Sequence, residues 1–528
     1  MSDIHIQRFQ YRARIRGAPA ERLRIDRAMA EMLDGGLESA LLHAGVDMDE
    51  EICIRRFVTR AKLDLARSDL QLTADWSNAW VDALRTVLQD GGDNVVRYRS
   101  RLHVLVDIAR CILRGDDSRA WAWRQLGVWS DTSPRSADAF IELSHVLVRH
   151  PSAVIPVCRV LANERVLGAW IARLPGTQLR ALSRAALRAV NADVGAVTAR
   201  ADAPDFDISS VAPPVGAPGA GHSRSVHSRI VRTMAASPLE AELRPVASAG
   251  NARDLAALIV LAAEPAALRA GGARELLNDV GRALLEAVTR SGEVVDADRA
   301  SAAPVRGGRQ SVAVPHSLPA GQPEPATAHA ANAAARPASP EDETPDAARA
   351  DASPTLAPQN SSRLHAHTGF GGLMYLLWLI EPAGVLDAVD PDRPLAVRGL
   401  RWVLRQIGRQ LVSLDGNDPV LDAFTGTMPD ARDAAAAEPA TPAEAADIAV
   451  LANCMVELLR ERLHEPVQAR DLLLETLCRR PADIHFEPGW IELHFRLDTA
   501  TTVIRRSGLD RDPGWVPWLG TVVKFAYV

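Results

Sequence analysis

The residue types that chemistry would use gather in the C-terminal third of the chain. His365 and His367 stand two apart. As metal ligands they would need two further donors, and no neighbouring cluster supplies them. His485 and His494 flank a Pro488-Gly489 turn, so a hairpin would bring them face to face, with Cys478 upstream. An imidazole beside a thiol activates it as a nucleophile. The other reading of the same residues is a polar strand face with an ordinary buried cysteine. Asp510 and Asp512 lie in Gly508-Leu-Asp-Arg-Asp-Pro-Gly-Trp515. Paired carboxylates can do acid–base work, but with Arg511 between them and Pro513-Gly514 following, a turn and a salt bridge to Arg505 or Arg506 account for them better. Trp515 and Trp518, around Pro517, either form a recognition patch or plug the core of a small module. With Arg505 and Arg506 they are the candidate protein-contact residues.

Several enzyme signatures are missing. The sequence holds no G-x-x-x-x-G-K-[ST], no H-E-x-x-H, no G-x-S-x-G and no dinucleotide fingerprint after a strand. Gly369-Phe-Gly-Gly372 has the look of a glycine loop, but a tight helix start or close helix packing explains it. No catalytic residue, metal or cofactor is therefore expected. The five cysteines are scattered without a C-x-x-C pair, which speaks against a zinc ribbon or a disulfide scaffold and for free thiols in a reducing compartment. The net charge of −6 gives no global case for nucleic acid. Of 60 basic residues only Lys62 and Lys524 are lysines. That bias reflects either a GC-rich genome or an arginine-rich contact surface, where guanidinium forks pair with carboxylates. The longest apolar run, Gly369 to Ile380, is shorter than the roughly 20 residues of a membrane span, and no apolar run follows the N-terminal arginines. The expectation is a soluble cytoplasmic protein with protein partners.

The elements that must position these residues read as mainly α, with small α/β modules at the N- and C-terminal ends. Residues 1–95 form the first module. Phe9 to Ile15 alternates as a strand, a helix opens at Pro19 and breaks at Gly35-Gly36, short alternating pieces follow at Ile52–Ile54, Leu63–Leu65 and Leu70–Leu72, and a helix carries Trp76, Trp80, Leu84 and Leu88. Residues 96–200 read as short helices punctuated by Pro or Gly, stacked as hairpins without a fixed repeat. A Pro/Gly/Ala/Ser linker follows over 201–228, a helical segment over 229–295, and an Ala/Pro-rich linker over 296–362, whose composition predicts disorder. A helical module spans 363–429, with a buried helix at Gly369–Ile380 and an amphipathic one through Trp402, Ile407 and Leu411. A spacer at 430–446 precedes a C-terminal α+β module at 447–528.

Several strings resemble the tape-measure-type proteins of contractile injection systems. They are His5 to Tyr11, Ile52 to Phe57, Leu63-Asp-Leu65 and the Trp76–Leu88 helix, and His150 to Val160 with Leu174 to Leu179; Gly369 to Trp378 and, most specific as a string, Gly508-Leu-Asp-Arg-Asp-Pro-Gly-Trp-Val-Pro-Trp-Leu-Gly520 resemble proteins of the same type of gene cluster. The resemblance implies a non-enzymatic component of a phage-tail-like particle that sets or caps the length of an inner tube, with tube or baseplate subunits as partners. A ruler spanning a tube would need a long continuous helix, at about 1.5 Å per residue, and this chain breaks its helices at short intervals. A compact assembly factor fits that departure. Two other readings are a helical adaptor outside any particle and an enzyme using Cys478 with His485 or His494.

Overall fold

The computed structural model describes residues 19–33, 50–192, 229–231, 237–269, 273–301, 363–390, 392–429, 438–464, 469–499 and 501–528. The expected Phe9–Ile15 strand, the Gly35-Gly36 break, most of both linkers and the first part of the 430–446 spacer lie outside these residues. The fold is mainly α with two small sheets, as the sequence patterning predicts.

The N-terminal half runs α1 (Pro19–Glu31), β1 (Glu51–Ile54), α2 (Asp69–Asp90), β2 (Val95–Tyr98), α3 (Arg101–Arg114), α4 (Ala120–Gln125), α5 (Asp138–Arg149), α6 (Val154–Asn163), α7 (Leu167–Ile171), α8 (Gly176–Ala189), α9 (Pro238–Leu243), α10 (Ala252–Ala263) and α11 (Ala273–Ser301). The C-terminal half adds β3 (Leu364–Thr368), a 3-10 helix (Gly371–Leu379), α12 (Leu400–Leu411), α13 (Pro419–Phe424), α14 (Pro442–Leu463), α15 (Arg470–Cys478), β4 (Ala482–Glu487), β5 (Trp490–Phe495), α16 (Thr502–Ser507), β6 (Gly514–Val516) and β7 (Thr521–Tyr527).

Local chemistry explains where the elements depart from the sequence reading. Leu70–Leu72 is helical rather than extended, because Ser68 and Gln71 close a capping box in front of it: Ser68 Oγ accepts from Gln71 N at 3.4 Å and Gln71 Oε1 from Ser68 N at 3.2 Å. Leu63 and Leu65 pair with no strand and instead pack, with Met29 and Trp80, on the small core of Ile25, Met32 and Trp76. A second capping box, Thr441 with Glu444, starts α14 inside the expected spacer, and α11 continues to Ser301, inside the expected second linker. The buried Gly369–Ile380 segment winds as a 3-10 helix over Gly371–Leu379. Its glycines are there for close approach. A Cβ on Gly372 would stand 2.1 Å from the Leu477 carbonyl oxygen, and one on Gly371 2.5 Å from the Ala482 Cβ.

Two cores result. The first joins α3 to α11 and also takes Cys53, Val96 and Tyr98 from the β1–β2 ribbon. The expected boundary at residue 95 therefore falls inside a strand that belongs to the helical core. The second core joins the 3-10 helix, α12 to α15 and the five-stranded sheet. The expected modules 363–429 and 447–528 share it, because β3 pairs antiparallel with β4. The strand order is β3-β4-β5-β7-β6, with β5 and β7 parallel and the other pairs antiparallel. One sheet face enters the core through Ile484, Phe486, Leu493, Phe495, Val523 and Phe525. The Tyr375 ring stacks on Phe495 at 5.2 Å, and its hydroxyl lies 3.1 Å from that of Tyr527. The residues up to Arg290 and from Gln359 onward form one compact unit; a second covers 291–358, of which only the end of α11 is described.

Candidate functional site

Alternation along β3, β4 and β5 sends the polar residues to the sheet face opposite the core. The register aligns His365, His485, Glu492 and Lys524 in one row, and His367, Asp483 and His494 in the next. The imidazoles of His485 and His494 lie 4.7 Å apart, as the hairpin reading expects, and His365 lies 4.7 Å from His485 on the other side. His367 Nδ1 sits 2.9 Å from Asp483 Oδ1. Burial, then the Arg363 charge and the neighbouring histidines, push His485 down to about 4. Among the described residues no group of three or more His, Cys, Asp or Glu side chains is arranged to hold a metal ion.

The other end of this face is covered. Arg99, in the β2–α3 corner, pairs with Glu487 and reaches Glu492 at 3.1 Å. His103 of α3 lies 3.2 Å from Glu487 and packs edge-on against Trp490, ring centroids 5.0 Å apart. Arg363 stands 3.6 Å from both carboxylates. Burial alone would raise Glu487, but the hydrogen bond and charge of His103 and the guanidinium of Arg99 outweigh it and hold it at about 2. For Glu492 burial is likewise overcome, by His494, Arg99 and Arg363, to about 2. Carboxylates this firmly ionised are poor general acids or bases near neutral pH. They are ion-pair anchors that fasten the sheet to the helical half.

Cys478 ends α15 inside the second core, fully buried, with burial pushing its thiol up to about 12. The histidines project from the opposite sheet face, so the structure does not bring the thiol and the imidazoles together. Asp510 pairs with Arg505 at 3.9 Å, the salt bridge its position suggests. Asp512 Oδ1 accepts the Phe525 amide at 2.5 Å and so braces β7.

The four candidate contact residues separate into two pairs. Trp518 is 6% exposed and belongs to the second core. Trp515 is half-buried, packs on the first core and donates its Nε1–H to the Ala189 carbonyl at 2.8 Å. Both indoles are internal anchors, the plugging alternative of the sequence reading. Arg505 and Arg506 stay exposed on α16. The fold adds neighbours that sequence reading missed. Trp378 Nε1 donates to the Arg511 carbonyl at 3.3 Å, and Arg462 lies over the Trp378 ring at 5.9 Å while its Nε donates to the Ser507 carbonyl at 3.0 Å. Arg462, Trp378 and the Arg511 backbone thus meet at the C-terminal end of α16, the helix that exposes Arg505 and Arg506. Only tertiary contact joins residues so far apart in the chain.

Among the described residues no helix is long and apolar enough to cross a membrane. No family model, no curated protein and no solved structure matches the chain.

Proposed function

We propose that this chain is a non-enzymatic assembly component of a contractile injection apparatus, acting as a compact docking piece rather than as an extended ruler. The observation that carries the reading is the fate of Gly508–Gly520, the string whose resemblance to proteins of contractile-injection gene clusters is the most specific. Its tryptophans and Asp512 tie it into the molecule, while Arg511, whose carbonyl accepts from Trp378, and the preceding Arg505 and Arg506 remain exposed. Arginine and tryptophan are the residue types that dominate protein contact sites, and guanidinium forks suit an acidic surface. The compactness of the unit formed by the residues up to Arg290 and from Gln359 onward supports an assembly factor over a ruler. The longest helix among the described residues, α11, has 29 residues, about 44 Å at 1.5 Å per residue, and the other described elements pack on one another.

The test is affinity capture of the tagged full chain from its native cell, with mass spectrometry and negative-stain imaging. Recovery with tube or baseplate subunits is the expected result. A charge-reversed pair, Arg505→Glu with Arg506→Glu, is expected to lose those partners while its thermal melt stays within a few degrees of wild type. Recovery of a soluble regulator without particle subunits would replace this reading with that of an adaptor outside any particle.

A further inference from the structure

We infer that Arg159, Arg229 and Arg401, gathered where α6, α10 and the start of α12 meet, form a binding site for a small oxyanion. Glu264, just past the end of α10, organises the place. Its Oε2 lies 3.4 Å from Arg229 Nη1, and its Oε1 accepts the Leu400 amide at 3.0 Å. Two residues earlier, the Ala262 carbonyl accepts from Arg159, whose other terminal nitrogen bonds the Gly520 carbonyl at 3.1 Å and Thr521 Oγ1 at 3.2 Å. Arg229 lies flat against Gly399, at φ +78°, where any Cβ would collide with its guanidinium.

The charges do not balance. Among the described residues Glu264 is the carboxylate that bears on Arg401, whereas the Arg229 charge opposes it, and Arg401 in turn opposes Arg159. Burial is the larger cause in both cases, and together they bring Arg159 down to about 9. Arg159 is satisfied by neutral oxygens rather than by a carboxylate. Arg229 Nε is buried with no acceptor. Arg401 occupies the first turn of α12, where the helix dipole disfavours a cation and favours an anion. All three arginines keep partial exposure. One oxyanion would accept from the unused guanidinium donors and offset the surplus charge. Phosphate and carboxylate share this chemistry.

The experiment is thermal unfolding of the full chain at constant ionic strength, replacing chloride by inorganic phosphate in one arm and by acetate in the other. A saturable rise in Tm is expected in at least one arm, and the arm that saturates at lower concentration identifies the oxyanion class. Arg401→Gln is expected to abolish the saturable rise and to melt no lower than wild type in chloride, while Arg505→Gln keeps it. An unsaturating rise shared by wild type and Arg401→Gln, or no rise in either arm, would overturn the site. So would a large loss of stability for Arg401→Gln in chloride, since that would make Arg401 a structural tie. Line broadening of the phosphorus resonance of inorganic phosphate by the wild-type chain reads binding without any variant; a phosphate-specific Tm rise without broadening would count against it.

Discussion

At the scale of residues, the titratable groups respond to pH with the same sign but over different ranges. Glu487 and Glu492 are held near 2, below the ordinary carboxylate value of 4.5. Their contribution to stability is full above the unfolded value and is lost as pH falls from about 4.5 towards 2. Both are well shielded, at 17% and 8% exposure, so each shift corresponds to on the order of 3 kcal/mol, and the two are not additive because they share Arg99. His485 is depressed from 6.5 to about 4. A depressed imidazole binds its proton less readily when folded, so it removes stability as pH falls from 6.5 towards 4. Denaturant midpoints from pH 7 to 3 are therefore expected to fall in two stages. His485→Asn should flatten the upper stage, and Glu487→Gln should lower the neutral-pH stability by leaving Arg99 and His103 short of a partner. A single stage in wild type, or an unchanged profile in both variants, would refute these assignments.

At the scale of elements, the 3-10 helix over Gly371–Leu379 depends on two glycines against α15 and β4. Overpacking a core costs typically 1–3 kcal/mol, and a Cβ on Gly372 would meet backbone, which cannot swing aside. Gly372→Ala is expected to destabilise by about 3 kcal/mol in urea unfolding. Gly369→Ala, with nothing within 4 Å of the new methyl, should cost under about 1 kcal/mol. Equal losses would show that the glycines serve the turn rather than the packing. The capping boxes at Ser68 and Thr441 show the opposite regime, in which neighbours in sequence alone decide where a helix begins.

At the scale of the molecule, two cores are joined by ties that link distant parts of the chain: Arg99 to Glu487 and Glu492, Arg159 to Gly520, Glu264 to the Leu400 amide, and Trp515 to the Ala189 carbonyl. These ties are buried or half-buried and do not rely on the covalent connection between residues 302 and 362. A protease site engineered into that stretch should yield two fragments that co-elute in gel filtration and separate only in denaturant. Fragments that part under native conditions would mean that the covalent link holds the halves together.

The sequence by itself determined the mainly α class, the positions of most helices, the β-rich end and the facing of His485 and His494, because each follows from periodicity, Pro and Gly punctuation or a short hairpin. It marked Gly369–Gly372 as a close-packing site, since only glycine lets backbone approach so nearly. Tertiary structure decided the rest. Whether Trp515 and Trp518 face a partner or the interior depends on α8 and on the second core, which no local pattern encodes. The joining of β3 to β4 links residues more than a hundred positions apart, and a five-residue alternation carries no sign of its partner strand. The acidic pair Glu487 and Glu492, the exposed arginines near Trp378 and the arginines around Glu264 exist as sites only because folding brings charges from separate segments together, where Coulomb interaction and desolvation act on distance in space and not along the chain.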